Sequence, residues 1–184
     1  APIFCDAVGG TQVPYSVIQA VSDYFITKNG NKGGVFPTSR ATDQVMDETR
    51  EITADFINAP SPKEVIFGPN FTSLTFQVSR ALSKEWRPGD EIIVSRLDHD
   101  ANVSPWVRAA EDRDATVRYG DIIDGSCQID LVGFKKLLSS KTKLVAFCAA
   151  SSSIGTSTDV KTLTDLAHQA GAIVYVDAVA YAPH

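Results

Sequence analysis

Between Glu64 and Val176 short, β-branched apolar segments alternate with longer stretches of helical period, and this alternation confines the chain to an α/β fold. Glu64–Phe67, Glu91–Ser95, Thr116–Tyr119, Leu144–Ala149 and Ile173–Val176 read as strands. Thr72–Lys84, Ala101–Ala110, Leu131–Ser139 and Val160–Gln169 read as the helices between them. One helix per connection implies right-handed crossovers, hence a mostly parallel sheet with helices on both faces. Asp130 and Asp159 stand where N-caps belong, and Gly171 where a helix stops.

Ahead of this pattern the chain is helical. Tyr15 to Asn29 puts Val17, Ile18, Val21 and Phe25 on one face, and the run from Asn29 to Gly34 ends it with residues that tolerate positive φ. A second helix spans Ala41 to Asn58, with Val45, Met46, Thr49, Ile52 and Phe56 at helical spacing; Pro60 and Pro62 close it. Residues 1–40 are thus expected to form a helix and loop segment, and residues 41–184 the α/β domain, with no linker, repeat or low-complexity stretch between them.

A chain of 184 residues with 43% hydrophobic content is one domain's worth, or part of a larger protein, and has enough apolar surface for a core. Its net charge of −5 and scattered lysines give no basic stripe, so nucleic acid is not an expected partner. No apolar run reaches the ~20 residues that span a bilayer. The start, Ala1 to Asp6, lacks the basic and apolar regions of a signal peptide, so a cytoplasmic location away from membranes is expected. Cys5, Cys127 and Cys148 are widely spaced, which fits a reducing compartment and offers no metal site.

Four turns at the carboxyl ends of strands carry residues capable of chemistry. Gly68 to Ser73 leads from the first strand into a helix, where unpaired N–H groups suit a phosphate; equally, Asn70 simply caps the helix and Thr72 and Ser73 are solvated. In Asp98-His99-Asp100 the two acids favour a protonated imidazole if they approach the ring; otherwise His99 is a surface turn residue. The loop through Ser151, Ser152 and Ser153 offers hydroxyls, or is an ordinary polar turn. Asp177 stands where open α/β sheets place a ligand-binding acid, or bonds only its local N–H groups. His168 suits the last turn of its helix, and His184 is terminal. Neither a Gly-x-Gly-x-x-Gly fingerprint nor a Gly-Lys-[Ser/Thr] P-loop is present.

The ordered set Gly10–Pro14, Val65–Ser73, Gly89–Val94, Asp98–Asn102 with Pro105-Trp106, and Val176–His184 resembles the first part of fold-type I pyridoxal-phosphate enzymes. Within them it resembles the class V aminotransferase and cysteine desulfurase-like group. The resemblance implies pyridoxal 5'-phosphate as cofactor and a sheet that forms part of the large domain. It implies that Asp177 bonds the pyridine nitrogen, that His99 stacks on the ring and assists proton transfer, and that Asn70, Phe71 and Thr72 form the phosphate cup. Ser152 falls where many relatives have an asparagine contacting the phenolic oxygen, and Ala180 where they often have glutamine or histidine. Asn70-Phe71 replaces a common Gly-Thr, which shifts weight to backbone contacts.

The same resemblance implies that the lysine bonding the cofactor, the substrate-binding arginine and a desulfurase's nucleophilic cysteine come after His184; Lys141, Lys143 and the three cysteines match none of them. The 184 residues alone are therefore expected to be inactive and to need the rest of the chain, or a second polypeptide, to complete the sheet. The intact protein is expected to be a homodimer acting on an amino acid, with C–S cleavage or sulfur transfer ahead of transamination, epimerisation, or selenocysteine or kynurenine cleavage. The alternatives are a non-catalytic interaction domain derived from such an enzyme and an unrelated nucleotide binder.

Overall fold

The computed structural model describes Ile3 and residues 9–184; Cys5 and most of the Ala1–Asp6 start lie outside the described residues. Two compact units follow one another, Ala1–Phe67 and Gly68–His184.

The first unit holds α1 (Tyr15–Thr27), α2 (Pro37–Ile57) and a 3-10 turn at Pro62–Glu64. Proline suits the first turn of α2 because its missing N–H would have no intrahelical partner there, and Asn58 closes the helix in the left-handed region, φ 54°. The helix runs through position 40/41, where the sequence pattern divides the chain. The glycine-rich connection is tied back to α2: Gly33 N–H donates to the Asp43 carboxylate and Gly34 N–H to Ser39 Oγ at 2.7 Å. The apolar face of α1 is formed as expected, yet Val17, Ile18, Val21 and Phe25 are exposed. Glu64–Phe67 is not a strand. Its sequence has β character, but a strand exists only as a hydrogen-bonded pair, and among the described residues no segment pairs with it.

The second unit contains β1 (Glu91–Ser95), β2 (Thr116–Gly120), β3 (Thr142–Cys148) and β4 (Ile173–Asp177), all parallel, in the order β2-β1-β3-β4. Its helices are α3 (Phe71–Leu82), α4 (Ser104–Glu111), α5 (Leu131–Leu137) and α6 (Val160–Gln169). Strand periodicity sorts the core into two layers. Ile92, Val94, Leu144 and Ala146 pack with Trp106, Ala109 and Ala110 of α4 and with Val78 and Leu82 of α3. On the other face Ile93, Val145 and Phe147 pack with Phe134 of α5 and Leu163 and Ala167 of α6. Trp106, Phe134 and Phe147 are fully buried, worth roughly 1.5–3 kcal/mol each as apolar burial.

The helices end where their chemistry says they should. Asp130 and Asp159 cap α5 and α6, accepting from Val132 N–H at 3.1 Å and Thr162 N–H at 3.1 Å. Gly171, at φ 80°, turns the chain out of α6 into β4. The chain steps from β1 to β2 in one direction, across the α4 face, and then reaches β3 and β4 in the other, across the α5 and α6 face. Direction and face change together, as a constant crossover hand requires. The reversal leaves a topological switch point between the carboxyl ends of β1 and β3, where ligands of open α/β sheets bind.

Candidate functional site

Because all four strands are parallel, the turns leaving β1, β3 and β4 share one edge of the sheet. This brings His99, Ser152 and Asp177 to that edge.

The switch point itself is spanned by a side chain that the sequence pattern presents only as a neighbour of His99. The carboxylate of Asp98 accepts from the backbone N–H of Cys148, at the end of β3, at 3.0 Å, and from Asn102 Nδ2 at 2.5 Å. Asn102 is fully buried and in turn accepts from Trp106 Nε1 at 3.1 Å, which anchors the arrangement in the core under α4. Burial pushes the Asp98 carboxyl up to about 6; the Asn102 and Cys148 hydrogen bonds oppose this and the neighbouring Asp177 charge adds to it. The Cys148 thiol is pushed up to about 12, first by burial and then by Asp98 and Asp177, so it is a core side chain and not a nucleophile.

His99 is exposed, and its Nδ1 accepts from Ala101 N–H at 3.1 Å, which places a neutral ring's proton on Nε2. Neither flanking acid is hydrogen-bonded to the imidazole. Asp98 is engaged with Asn102 and Cys148, and Asp100 accepts from Ser104 Oγ at 2.6 Å.

At the start of α3, Asn70 Oδ1 accepts from Ser73 N–H at 2.8 Å, and the first backbone bond of the helix is Leu74 N–H to Asn70 O. The N–H groups of Phe71 and Thr72 precede that bond and lie at the positive end of a 12-residue helix. The Thr72 side chain is exposed beside them. A Cβ on Gly68 would stand 2.5 Å from Leu74 side-chain atoms, so the Leu74 side chain packs directly over this glycine at the entry to the helix. The Phe71 ring packs 6.1 Å from Tyr175, and the Thr75 hydroxyl lies 3.2 Å from the Tyr175 hydroxyl. Tyr175 also meets Trp106 edge to face at 4.9 Å. Tyr175 is thus a tie between α3, α4 and β4 that sequence reasoning missed, although the Tyr-x-Asp spacing puts it on the strand face shared with Asp177.

Asp177 is buried, with Oδ1 accepting from Val179 N–H at 2.9 Å and its backbone oxygen from Ala149 N–H at 2.8 Å. Ser152 lies on an exposed turn closed by the Ala150–Ser157 bridge. The structure therefore joins the Asn70–Thr72 turn to the Asp177 strand through Tyr175, and the His99 turn to the end of β3 through Asp98. Ser152 is joined to neither network by a side-chain contact among the described residues. The donor set fits a ligand with an anionic group, a heterocyclic N–H and a flat ring: a helix start rich in N–H groups, a fixed carboxylate and an exposed imidazole.

Comparison with known proteins gives the arrangement a lineage. The family profile described as Aminotransferase class-V matches residues 3–184. An uncharacterized protein of Mycobacterium tuberculosis, MT3887, is 36% identical over 97% of this chain and 45% of its own length. A probable cysteine desulfurase of Synechocystis sp. PCC 6803 is 35% identical over 99% of this chain and 44% of its own. The apo structure of the cysteine desulfurase from Thermococcus onnurineus NA1 superposes with a TM-score of 0.86 and 28% identity, over 94% of this chain and 42% of that one. The chain thus spans somewhat less than half the length of these relatives.

Proposed function

Because this chain belongs to the aminotransferase class-V family, we propose that it builds the pyridoxal-phosphate cradle of a cysteine desulfurase-like enzyme that acts on an amino acid. C–S bond cleavage or sulfur transfer is the proposed outcome, in a homodimeric cytoplasmic protein whose remaining chain supplies the lysine, the arginine and any nucleophilic cysteine. Residues from 41 onward are its partial large domain, and residues 1–40 its leading segment.

The observation that carries this reading is the buried Asp177 carboxylate, held at the sheet edge in a strand tied through Tyr175 to the N-terminal turn of α3. Pyridoxal phosphate, when bound, supplies a protonated ring that accepts the electron pair left at Cα of an amino acid. Asp177 holds the proton at the ring nitrogen, and Val179 N–H fixes the orientation of its carboxylate. The N–H groups of Phe71 and Thr72, with the Thr72 hydroxyl, bind the phosphate. Asn70 keeps the turn in shape by capping it. His99 covers the ring face and handles a proton at Nε2, and Ser152 takes the phenolic oxygen. The Cys148 thiol takes no part, being buried and held protonated.

Titration of the intact protein with pyridoxal phosphate is expected to give one bound equivalent per chain and release of alanine and sulfur from cysteine. Asp177→Ala is expected to lower turnover at least a hundredfold, about 3 kcal/mol in transition-state stabilisation, while the melting midpoint moves by a few degrees. Unchanged turnover in Asp177→Ala would count against the cofactor assignment. Ser152 and Ala180, short side chains where relatives carry amides or imidazoles, favour a second reading as a non-catalytic domain. Failure of the intact protein to bind the cofactor at all would select it.

A further inference from the structure

The contacts of Asp98 reach further than a structural capping role, because they cross the one gap in the sheet where two strands run side by side and their outgoing turns part. β1 and β3 are hydrogen-bonded neighbours, but the chain leaves β1 toward β2 and leaves β3 toward β4. Beyond Val94 and Ala146 the β1–β3 ladder has no further rungs. The turn after β1 carries His99, and the end of β3 lies in register with Asp177, Cys148 beside it. Asp98 bridges this divide: Oδ2 takes the Cys148 N–H on the β3 side, and Oδ1 takes Asn102 Nδ2 on the His99 side. Asn102 is locked by Trp106, whose indole also braces Tyr175. A single carboxylate thus connects the imidazole turn to the strand pair that holds Asp177.

We propose that Asp98 is a positioning residue of the cofactor site, its carboxylate clasping the His99 turn to the end of β3 and so fixing the imidazole relative to the Asp177 carboxylate. This rests on the cofactor reading above. Asp98 touches no reacting atom in it and acts through His99 and β3. Both of its partners are N–H donors, so the ionised carboxylate is the form that makes both bonds. The titratable groups around it are Asp177 from β4, the Cys148 thiol from β3, and His99 and Asp100 on its own turn. The burial that raises the Asp98 carboxyl to about 6 therefore sets the clasp to loosen as the solution becomes mildly acidic.

The test uses the intact protein as wild type, Asp98→Asn and Asp98→Glu. Asp98→Asn keeps the volume but sets an amide donor against one of the two N–H partners, while Asp98→Glu retains the acceptor pair. Without cofactor, Asp98→Asn is expected to shift the His99 ring resonances, assigned by comparison with His99→Gln, and to speed Cys148 amide exchange about tenfold. Its dissociation constant for pyridoxal phosphate is expected to rise about tenfold, with an altered visible circular dichroism band, and Asp98→Glu to recover part of both. Unchanged His99 resonances and Cys148 exchange in Asp98→Asn overturn the clasp. Wild-type affinity and dichroism in an Asp98→Asn protein that binds the cofactor overturn its positioning role and leave the cofactor reading standing. Absence of cofactor binding by the wild type overturns the cofactor reading itself, and with it the role given to Asp98.

Discussion

Asp98 also makes a stability statement that can be signed. Its carboxyl is raised from 3.8 to about 6 in the folded chain, so between those values the native state holds more proton than the unfolded state. The penalty for charging it is absent below the unfolded value, grows as pH rises through the window from about 4 to 6, and is fully present above it. A shift of this size corresponds to roughly 2–3 kcal/mol at the upper end of the window. Urea unfolding of wild type and Asp98→Asn at pH 4.5 and pH 7 isolates this contribution, because the other titrating groups are common to both proteins. Wild type is expected to lose on the order of 2 kcal/mol more than the variant between the two conditions. Equal losses would mean that Asp98 is solvated more fully than its contacts imply. No single-residue pattern predicts this behaviour. The sequence shows two acids flanking a histidine, whereas the environment of Asp98 comes from β3, 50 residues away along the chain.

The elements show where local information suffices and where it does not. β1 and α6 have the bounds that periodicity and caps predict, because both are set by residues within themselves: Ile92, Ile93 and Val94 in one, Asp159 and Gly171 around the other. Glu64–Phe67 has comparable β character and no ladder among the described residues, since pairing is a property of two segments and β character belongs to one. The α3 start lies between these cases. Asn70 was legible as a cap, but the Phe71 and Thr75 contacts to Tyr175 that orient the helix toward the Asp177 strand span about a hundred residues. Capping and anion binding at this helix can be separated by two substitutions. Asn70→Ala is expected to destabilise the protein by about 1 kcal/mol, seen as a fall in thermal midpoint. Asn70→Asp is expected to keep the cap and the midpoint while weakening pyridoxal phosphate binding severalfold, because a fixed negative charge then faces the phosphate. Equal affinity in Asn70→Asp would remove the phosphate from this turn.

At the scale of the molecule the sheet poses a problem that its own residues do not solve. Among the described residues β4 is an edge strand, and only its β3 side is hydrogen-bonded. It carries none of the devices that blunt an edge: Ile173-Val-Tyr-Val-Asp177 has no proline and no lysine, and Ile173 is half exposed. Glu64–Phe67 likewise leaves Ile66 exposed without a ladder. Relatives are about twice the length of this chain, and the resemblance implies that the rest of the chain or a second polypeptide completes the sheet. On that reading the edge is covered in the intact protein by the remaining chain or by a second polypeptide, and amide exchange distinguishes a covered edge from a free one. In a parallel strand successive amides point alternately to the two neighbours, so an uncovered β4 has one protected set, bonded to β3, and one set open to water. In the intact protein both sets in Ile173–Asp177 are expected to exchange slowly, together with the amides of Val65–Phe67. Alternating fast and slow amides along β4 would show an edge that stays open, and would leave Asp177 on a strand supported from one side only, a poor platform for a carboxylate that must hold a fixed position against a cofactor.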